Sequence, residues 1–120
     1  MSILSTILVT LVAILFFYIM YLETFATDSE STSRVFNIPQ EELRKASLNT
    51  LFKNQGIYNG LIAVFLLYGI FSNSQLLVTV FVLNVFFAAV YGAVTANKKI
   101  IFTQGGPAIL TLFSLIISLF

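Results

Sequence analysis

Five hydrogen-bonding residues stand where long apolar segments of the sequence meet polar ones. Glu23 is the only charged residue of the first apolar segment, and Asn54, Gln55, Tyr58 and Asn59 crowd the beginning of the second. A carboxylate can hold a cation or take up a proton, and amides can recognise a polar head group. The tyrosine can hydrogen-bond to a bound group or stack on it. These residue types predict a binding site more readily than a catalytic one.

Three further polar residues are expected at the same depth. Tyr91 and Thr95 end a third apolar segment, and Gln104 lies about one turn into a fourth. Residues four apart on a helix share a face, as Tyr91 and Thr95 do, and as Gln55 and Asn59 do. In hydrocarbon each unpartnered amide costs several kcal/mol. We therefore expect these side chains to point inward and to meet in a polar belt.

Two interpretations of the belt stand side by side. In one, the residues line a small pocket that opens to the cytoplasm or to the inner leaflet. In the other, the amides only hold helices together, contributing roughly 0.6 to 2 kcal/mol each. The sequence "GIYNG" has glycines four apart, Gly56 and Gly60, which allow another backbone to come close. That spacing suits both interpretations.

Glu23 separates the two interpretations better than any other residue. A carboxylate at the end of a span can face the lipid head groups or pair with a cation. The candidate cations are Lys53, Lys98 and Lys99. A site carboxylate would instead lie on the bundle-facing stripe that carries Phe16, Ile19 and Met20.

The composition assigns the chain to the membrane proteins. Of its 120 residues 58% are hydrophobic and only 9% are charged, which is too few for the surface of a soluble domain. A spanning helix needs about 20 apolar residues. The segments that qualify are 3–25, 51–72, 75–96 and 100–120. We predict an all-α, integral membrane four-helix bundle that forms a single transmembrane domain over residues 1–120. No Lys or Arg precedes the first segment, so it is expected to be a retained span rather than a signal peptide.

The hydrophilic stretch between the first two segments contains signals for a helix. It opens with "TDSESTS", which is typical of a loop. Asn37 is then a candidate N-cap, and Pro39 suits a first helical turn. We predict a short amphipathic helix in this loop, lying near the membrane surface and either ending before the second segment or continuing into it. In the fourth segment, Pro107 follows two glycines and predicts a kink.

The basic residues predict the orientation. All six Lys and Arg fall on the first loop, at the beginning of the second segment, or between the third and fourth segments. They are Arg34, Arg44, Lys45, Lys53, Lys98 and Lys99. Because basic residues are retained on the cytoplasmic side, we expect a multi-pass plasma-membrane protein with both termini outside.

Several function classes have little support. The chain has no Cys and no His, and its net charge is +1. We therefore expect no metal site, no cofactor, no catalytic set of residues and no nucleic-acid partner. An enzyme acting on a membrane-soluble substrate is disfavoured, because only Glu23 readily acts as an acid or base. The expected partners are membrane lipid and a small amphiphilic ligand, and Gly69 and Gly92 permit a homo-oligomer.

Two functions remain in competition. The first is binding or transport of a small amphiphile, a lipid or a cation in the polar pocket. The alternative is a structural or accessory membrane subunit, whose buried amides only hold the helices together. A small multidrug exporter fits less well, because its carboxylate lies deep in the first span whereas Glu23 lies at the end of its segment.

Four motifs resemble those of a known family. They are "YIMYLETF" at Tyr18–Phe25, "NQGIYNG" at Asn54–Gly60, "YGAVT" at Tyr91–Thr95 and "QGGPAIL" at Gln104–Leu110. In this order and over this length the chain resembles the small bacterial membrane proteins called domain of unknown function 1304. The resemblance implies a four-helix integral membrane protein and implies no activity. Members often carry a Glu-His pair in the first span, and the matching positions here are Leu15 and Phe16. Any chemistry of that pair is absent from this chain.

Overall fold

The computed structural model describes residues 1–95 and 105–117, and every regular element in these ranges is helical. The predicted all-α class is thus confirmed. The elements are α1 (Ile3–Met20), a π-helical turn (Tyr21–Phe25), α2 (Glu30–Phe36), α3 (Gln40–Leu43), α4 (Ala46–Phe71), α5 (Gln75–Thr95) and α6 (Gly106–Ile117).

Three helices are long and apolar enough to cross a membrane. They are Ile3–Phe25, Ala46–Phe71 and Gln75–Thr95, with 23, 26 and 21 residues. These lengths reach the roughly 20 residues that a span requires, and the three helices agree with the first three predicted segments. In the fourth segment the structure describes α6, an apolar helix of 12 residues that carries Pro107 in its first turn. The rest of that segment lies outside the described residues, so a fourth span and a kink remain predictions.

The chain divides into two compact units, of which one comprises Met1–Leu15 together with residues 63–120. Its described core is aliphatic, with Val9, Val12, Ala13, Ala63, Leu66, Val78, Val82, Val85, Ala89 and Ala108 buried. Two of the buried hydroxyls in this core pair with each other, since Ser5 Oγ and Ser114 Oγ lie 2.5 Å apart. That hydrogen bond joins α1 to α6 and satisfies both groups inside the apolar packing.

A tight turn connects α4 to α5. Asn73 adopts a left-handed conformation with φ 53°, and the amide of Ser74 donates to the carbonyl of Gly69. Gly69 packs so closely on α5 that an added Cβ would lie 2.7 Å from Val78 Cγ2. Asn tolerates left-handed backbone better than most residues, and the missing side chain at Gly69 admits the neighbouring helix.

The other unit is Phe16–Ile62, and its loop differs from the prediction. The stretch expected to be loop-like contributes α2, which begins at Glu30. Helix α2 begins there because Ser29 is its N-cap: Ser29 Oγ accepts a hydrogen bond from the amide of Thr32 at 3.2 Å. Asn37 is not an N-cap: it ends α2 in a left-handed conformation, with φ 56°. Pro39 precedes α3, which has only four residues.

The α2–α3 segment is attached to the membrane-length helices by apolar and polar contacts. Leu43 is buried, and the rings of Phe36 and Phe52 meet edge to face with 5.3 Å between centroids. Asn49 Nδ2 donates to the carbonyl of Leu43 at 3.0 Å, which connects α3 to the first turn of α4. The stretch predicted as one short amphipathic helix thus forms α3 and the beginning of α4, and α2 is an additional helix before it.

We predict that Asn73→Ala destabilises the protein by about 1 kcal/mol, because alanine is strained in the left-handed region. Asn73→Gly is the control and should leave stability unchanged or slightly raised, because glycine adopts that conformation freely. Reversible unfolding in mixed micelles measures both free energies. Equal losses for the two variants would contradict a conformational role for Asn73.

Candidate functional site at the end of the first membrane-length helix

The backbone around Glu23 leaves the α-helical pattern. Residues Tyr21–Phe25 form a π-helical turn, and the amide of Ala26 donates to the carbonyl of Tyr21 at 2.9 Å, five residues back. A π-helical turn widens the helix by one residue and is frequent at functional sites. Here it sets the direction in which the Glu23 side chain leaves the helix.

Threonine hydroxyls satisfy the carbonyls at this helix end. Thr27 Oγ1 donates to the Glu23 carbonyl at 2.7 Å. Thr32 Oγ1, on α2, lies 3.1 Å from the carbonyl of Leu22 and 2.6 Å from that of Ala26. Both threonines are buried. The last carbonyls of a helix have no partners within it, so these hydroxyls hold the π-helical turn and attach α2 to it.

The Glu23 side chain is buried and makes one hydrogen bond within the described residues. It is 4% exposed, and its Oε1 accepts from Asn59 Nδ2 at 2.5 Å. It lies on the stripe that a site carboxylate would require, where Phe16 and Ile19 are buried and Met20 is half-buried. The structure thus brings together two of the predicted site residues, one from each of two membrane-length helices.

Two glycines bring α4 close enough for this contact. A Cβ added to Gly56 would collide with Thr24 Oγ1 and would lie 3.0 Å from the Thr24 amide nitrogen and 3.1 Å from Glu23 Cβ. A Cβ added to Gly60 would collide with Met20 Sδ. The predicted role of the "GIYNG" glycines, close approach of another backbone, therefore agrees with the structure.

Within the described residues no basic side chain pairs with Glu23. The ion pairs there are Arg44 with Asp28 at 3.5 Å and Lys45 with Glu42 at 2.9 Å. Lys53 contributes its backbone carbonyl, which accepts from Thr24 Oγ1 at 3.0 Å. Lys98 and Lys99, the other cations expected near Glu23, lie outside the described residues.

The remaining predicted residues of α4 lie on its exposed surface. Asn54, Gln55 and Tyr58 are exposed, whereas Asn59 is half-buried. At 100° per residue, Gln55 is only about 40° from Asn59 around the helix, but Asn54 is about 140° away. Gln55 therefore borders the Glu23–Asn59 pair, and Asn54 belongs to the opposite face.

The other predicted site residues are not in this unit or are not described. Tyr91 is 72% exposed, and Thr95, also exposed, donates its hydroxyl to the Tyr91 carbonyl at 2.8 Å. Gln104 lies outside the described residues. A belt to which several helices contribute stays a prediction, and the same holds for ligand binding by these residues.

Sequence reasoning missed the threonines. The residues Thr24, Thr27 and Thr32 hold the turn that carries Glu23. Their partners are backbone carbonyls, and every residue has one, so the pattern of side-chain types does not reveal these hydrogen bonds. The only sequence signal was the density of hydroxyl residues directly after an apolar segment, which is also typical of a loop. Ser5 and Ser114 were missed for a similar reason, since 109 positions separate them.

The arrangement suits electrostatic recognition. One carboxylate oxygen is held by an amide N–H, and the described residues contain no group of three acidic, His or Cys side chains suited to a metal ion. The carboxylate lies in a segment of membrane-crossing length without a counter-charge among those residues. Such a group attracts a proton or a cation.

We predict that Gly56→Ala destabilises the protein by about 1–3 kcal/mol, because the new methyl group meets backbone as well as side-chain atoms. Gly60→Ala is the matched control: its methyl group meets only the flexible Met20 side chain, and alanine gains up to about 1 kcal/mol in helix propensity. Chemical unfolding in micelles compares the two. A loss at Gly60 as large as that at Gly56 would contradict the close backbone contact.

Comparison with known proteins places the chain in a family. Residues 10–116 match the family described as protein of unknown function (DUF1304). The chain is 60% identical over 116 residues to the uncharacterized protein YpaA of Lactococcus lactis subsp. lactis (strain IL1403), which covers 95% of this chain and 98% of that protein. No solved structure matches. The family expected from the four motifs is confirmed: the chain belongs to the DUF1304 family of proteins of unknown function.

Proposed function

We propose that this is an integral protein of the cell membrane that binds a cationic amphiphile through Glu23 and Asn59. Membrane insertion is supported by three helices of sufficient length and by the many large apolar side chains that they expose. Binding is supported above all by one observation, the buried Glu23 carboxylate that has an amide partner but no cation among the described residues.

Asn59 orients the Glu23 carboxylate for ligand binding. Its N–H holds Oε1, which fixes the orientation of the group, and hydrogen bonds to an ionised acceptor are stronger than neutral ones. No side-chain oxygen or nitrogen of the described residues is both sealed from solvent and without a partner. The second carboxylate oxygen is therefore not fully sealed from solvent, and in this proposal it is the atom that receives the positively charged group.

Access to this pair favours a ligand dissolved in the membrane. On the loop side, the buried hydroxyls of Thr27 and Thr32 hydrogen-bond to carbonyls at the π-helical turn, and Leu43 of the loop is buried as well. On α4, by contrast, Asn59 is only half-buried and its neighbour Gln55 is exposed. That flank of α4 belongs to a membrane-length helix. A guest that arrives there through lipid must combine a positive head group with an apolar tail.

Glu23→Gln tests the charge requirement. Glutamine keeps an oxygen that accepts from Asn59 but carries no charge, so we expect binding of tetraphenylphosphonium to fall at least tenfold while the fold persists. Equilibrium binding to the protein in phosphatidylcholine nanodiscs, with empty nanodiscs subtracted, measures the affinity. Circular dichroism confirms the helix content of the variant. Equal binding by Gln and Glu at this position would remove the basis of the proposal.

Bulky substitutions test the access side. Gln55→Trp places a large ring beside Asn59, whereas Asn54→Trp places the same ring on the opposite face of α4. We expect the first to slow binding of tetraphenylphosphonium at least tenfold and the second to leave the rate unchanged. Stopped-flow measurements in the same nanodiscs compare the two rates. Equal rates would show that the probe does not pass along the Gln55 flank.

The charge distribution supports an orientation with both termini outside. The cysteine-free chain permits a direct test with single cysteines. We expect a membrane-impermeant maleimide to label Ser72→Cys, in the turn after α4, in intact cells. Glu41→Cys, on α3, should be labelled only after the membrane is permeabilised. The reverse pattern would invert the proposed topology.

A structural or accessory role is the second candidate. The observation in its favour is that the Glu23–Asn59 hydrogen bond and the two glycines already account for the close contact of α4 with the end of the first membrane-length helix. In that case Asn59→Leu would lower the unfolding free energy, and no cationic probe would bind in a manner that depends on Glu23. The nanodisc experiment therefore separates the two functions.

A further inference from the structure

Asn84 is a second polar residue in the membrane-length helices, and unlike Glu23 it is exposed. Asn84 lies on α5, nine residues after Gln75 and eleven before Thr95. Its side chain is exposed, and its amide has no hydrogen-bond partner among the described residues. With a rise of 1.5 Å per residue, it lies about 14 Å from one end of α5 and about 16 Å from the other.

This position leaves the amide without the usual partners. Lipid head groups and interfacial water lie at the ends of a span, and acyl chains neither donate nor accept hydrogen bonds. An amide in hydrocarbon without a partner is costly. The neighbours on the same stripe are suited to helix contact: Ala88, one turn later, is small and exposed, and Tyr91 and Val80 are exposed as well.

We propose that the exposed stripe of α5 around Asn84 binds a second copy of this chain. An amide carries both donors and an acceptor, so it is complementary to itself. Around a two-fold axis the Nδ2 of each copy donates to the Oδ1 of the other, and Ala88 lets the two helices come close. A second copy of this chain therefore satisfies the Asn84 amide without a partner of another kind. The proposal rests on membrane insertion but not on cation binding.

Förster transfer between labelled copies in phosphatidylcholine liposomes tests the proposal. We expect transfer to increase with the protein-to-lipid ratio, and Asn84→Leu to lower the association constant roughly tenfold, as the loss of two amide hydrogen bonds implies. Asn84→Gln should restore part of the association. Asn54→Leu is the matched control, since it removes an exposed amide at a similar depth on α4 and leaves the stripe of α5 intact.

Crosslinking locates the contact. Ala88→Cys should form an intermolecular disulfide on mild oxidation, and Val64→Cys, exposed on α4, should not. Alkaline extraction confirms that each variant is inserted, and because Asn84 is exposed, Asn84→Leu should unfold no more easily than the parent protein. A monomer at every protein density, an unchanged association constant for Asn84→Leu, or crosslinking through Val64→Cys alone would overturn the proposal.

Discussion

The close contact between α4 and the π-helical turn is the constraint on which the geometry of Glu23 depends. Gly56 and Gly60 remove the side chains that would keep the two backbones apart. The contact lets Asn59 reach the carboxylate, and it lets Thr24 donate to the carbonyl of Lys53. A buried charged or amide group without a partner would be costly, so the glycines and the polar pair are mutually dependent.

The loop after the first membrane-length helix stabilises this turn instead of merely connecting two helices. Thr32 hydrogen-bonds to the carbonyl of Leu22 within the π-helical turn and to that of Ala26 directly after it, and Leu43 is buried. The Arg44–Asp28 ion pair lies at the exposed surface, where such a pair contributes about 0–1 kcal/mol. The hydroxyl bonds and the apolar packing therefore stabilise the loop more than its charges do.

Length and apolar composition were sufficient to predict three membrane-length helices, because a helix that satisfies its own backbone needs no distant partner. Helical periodicity gave the stripe of Phe16, Ile19 and Met20 as one of two positions for the Glu23 side chain, and did not decide between that stripe and the lipid head groups. The π-helical turn and α2 did not follow from the sequence, because side chains bonded to distant carbonyls decide them. Asn37 shows the ambiguity of local signals: the same residue type suits the beginning of one helix and the end of another.

The π-helical turn carries one residue more than an α-helical turn. Removal of a single residue there can convert it to α-helix without breaking the helix, but Phe16 and Ile19 would then rotate by about 100° relative to Thr27. The number of residues in this turn thus sets the angle, around the helix axis, between the apolar face of the helix and the carboxylate at its end. Single-residue insertions, or deletions that spare Glu23, between Tyr21 and Phe25 are therefore a means of turning the carboxylate toward or away from α4 without changing its chemistry.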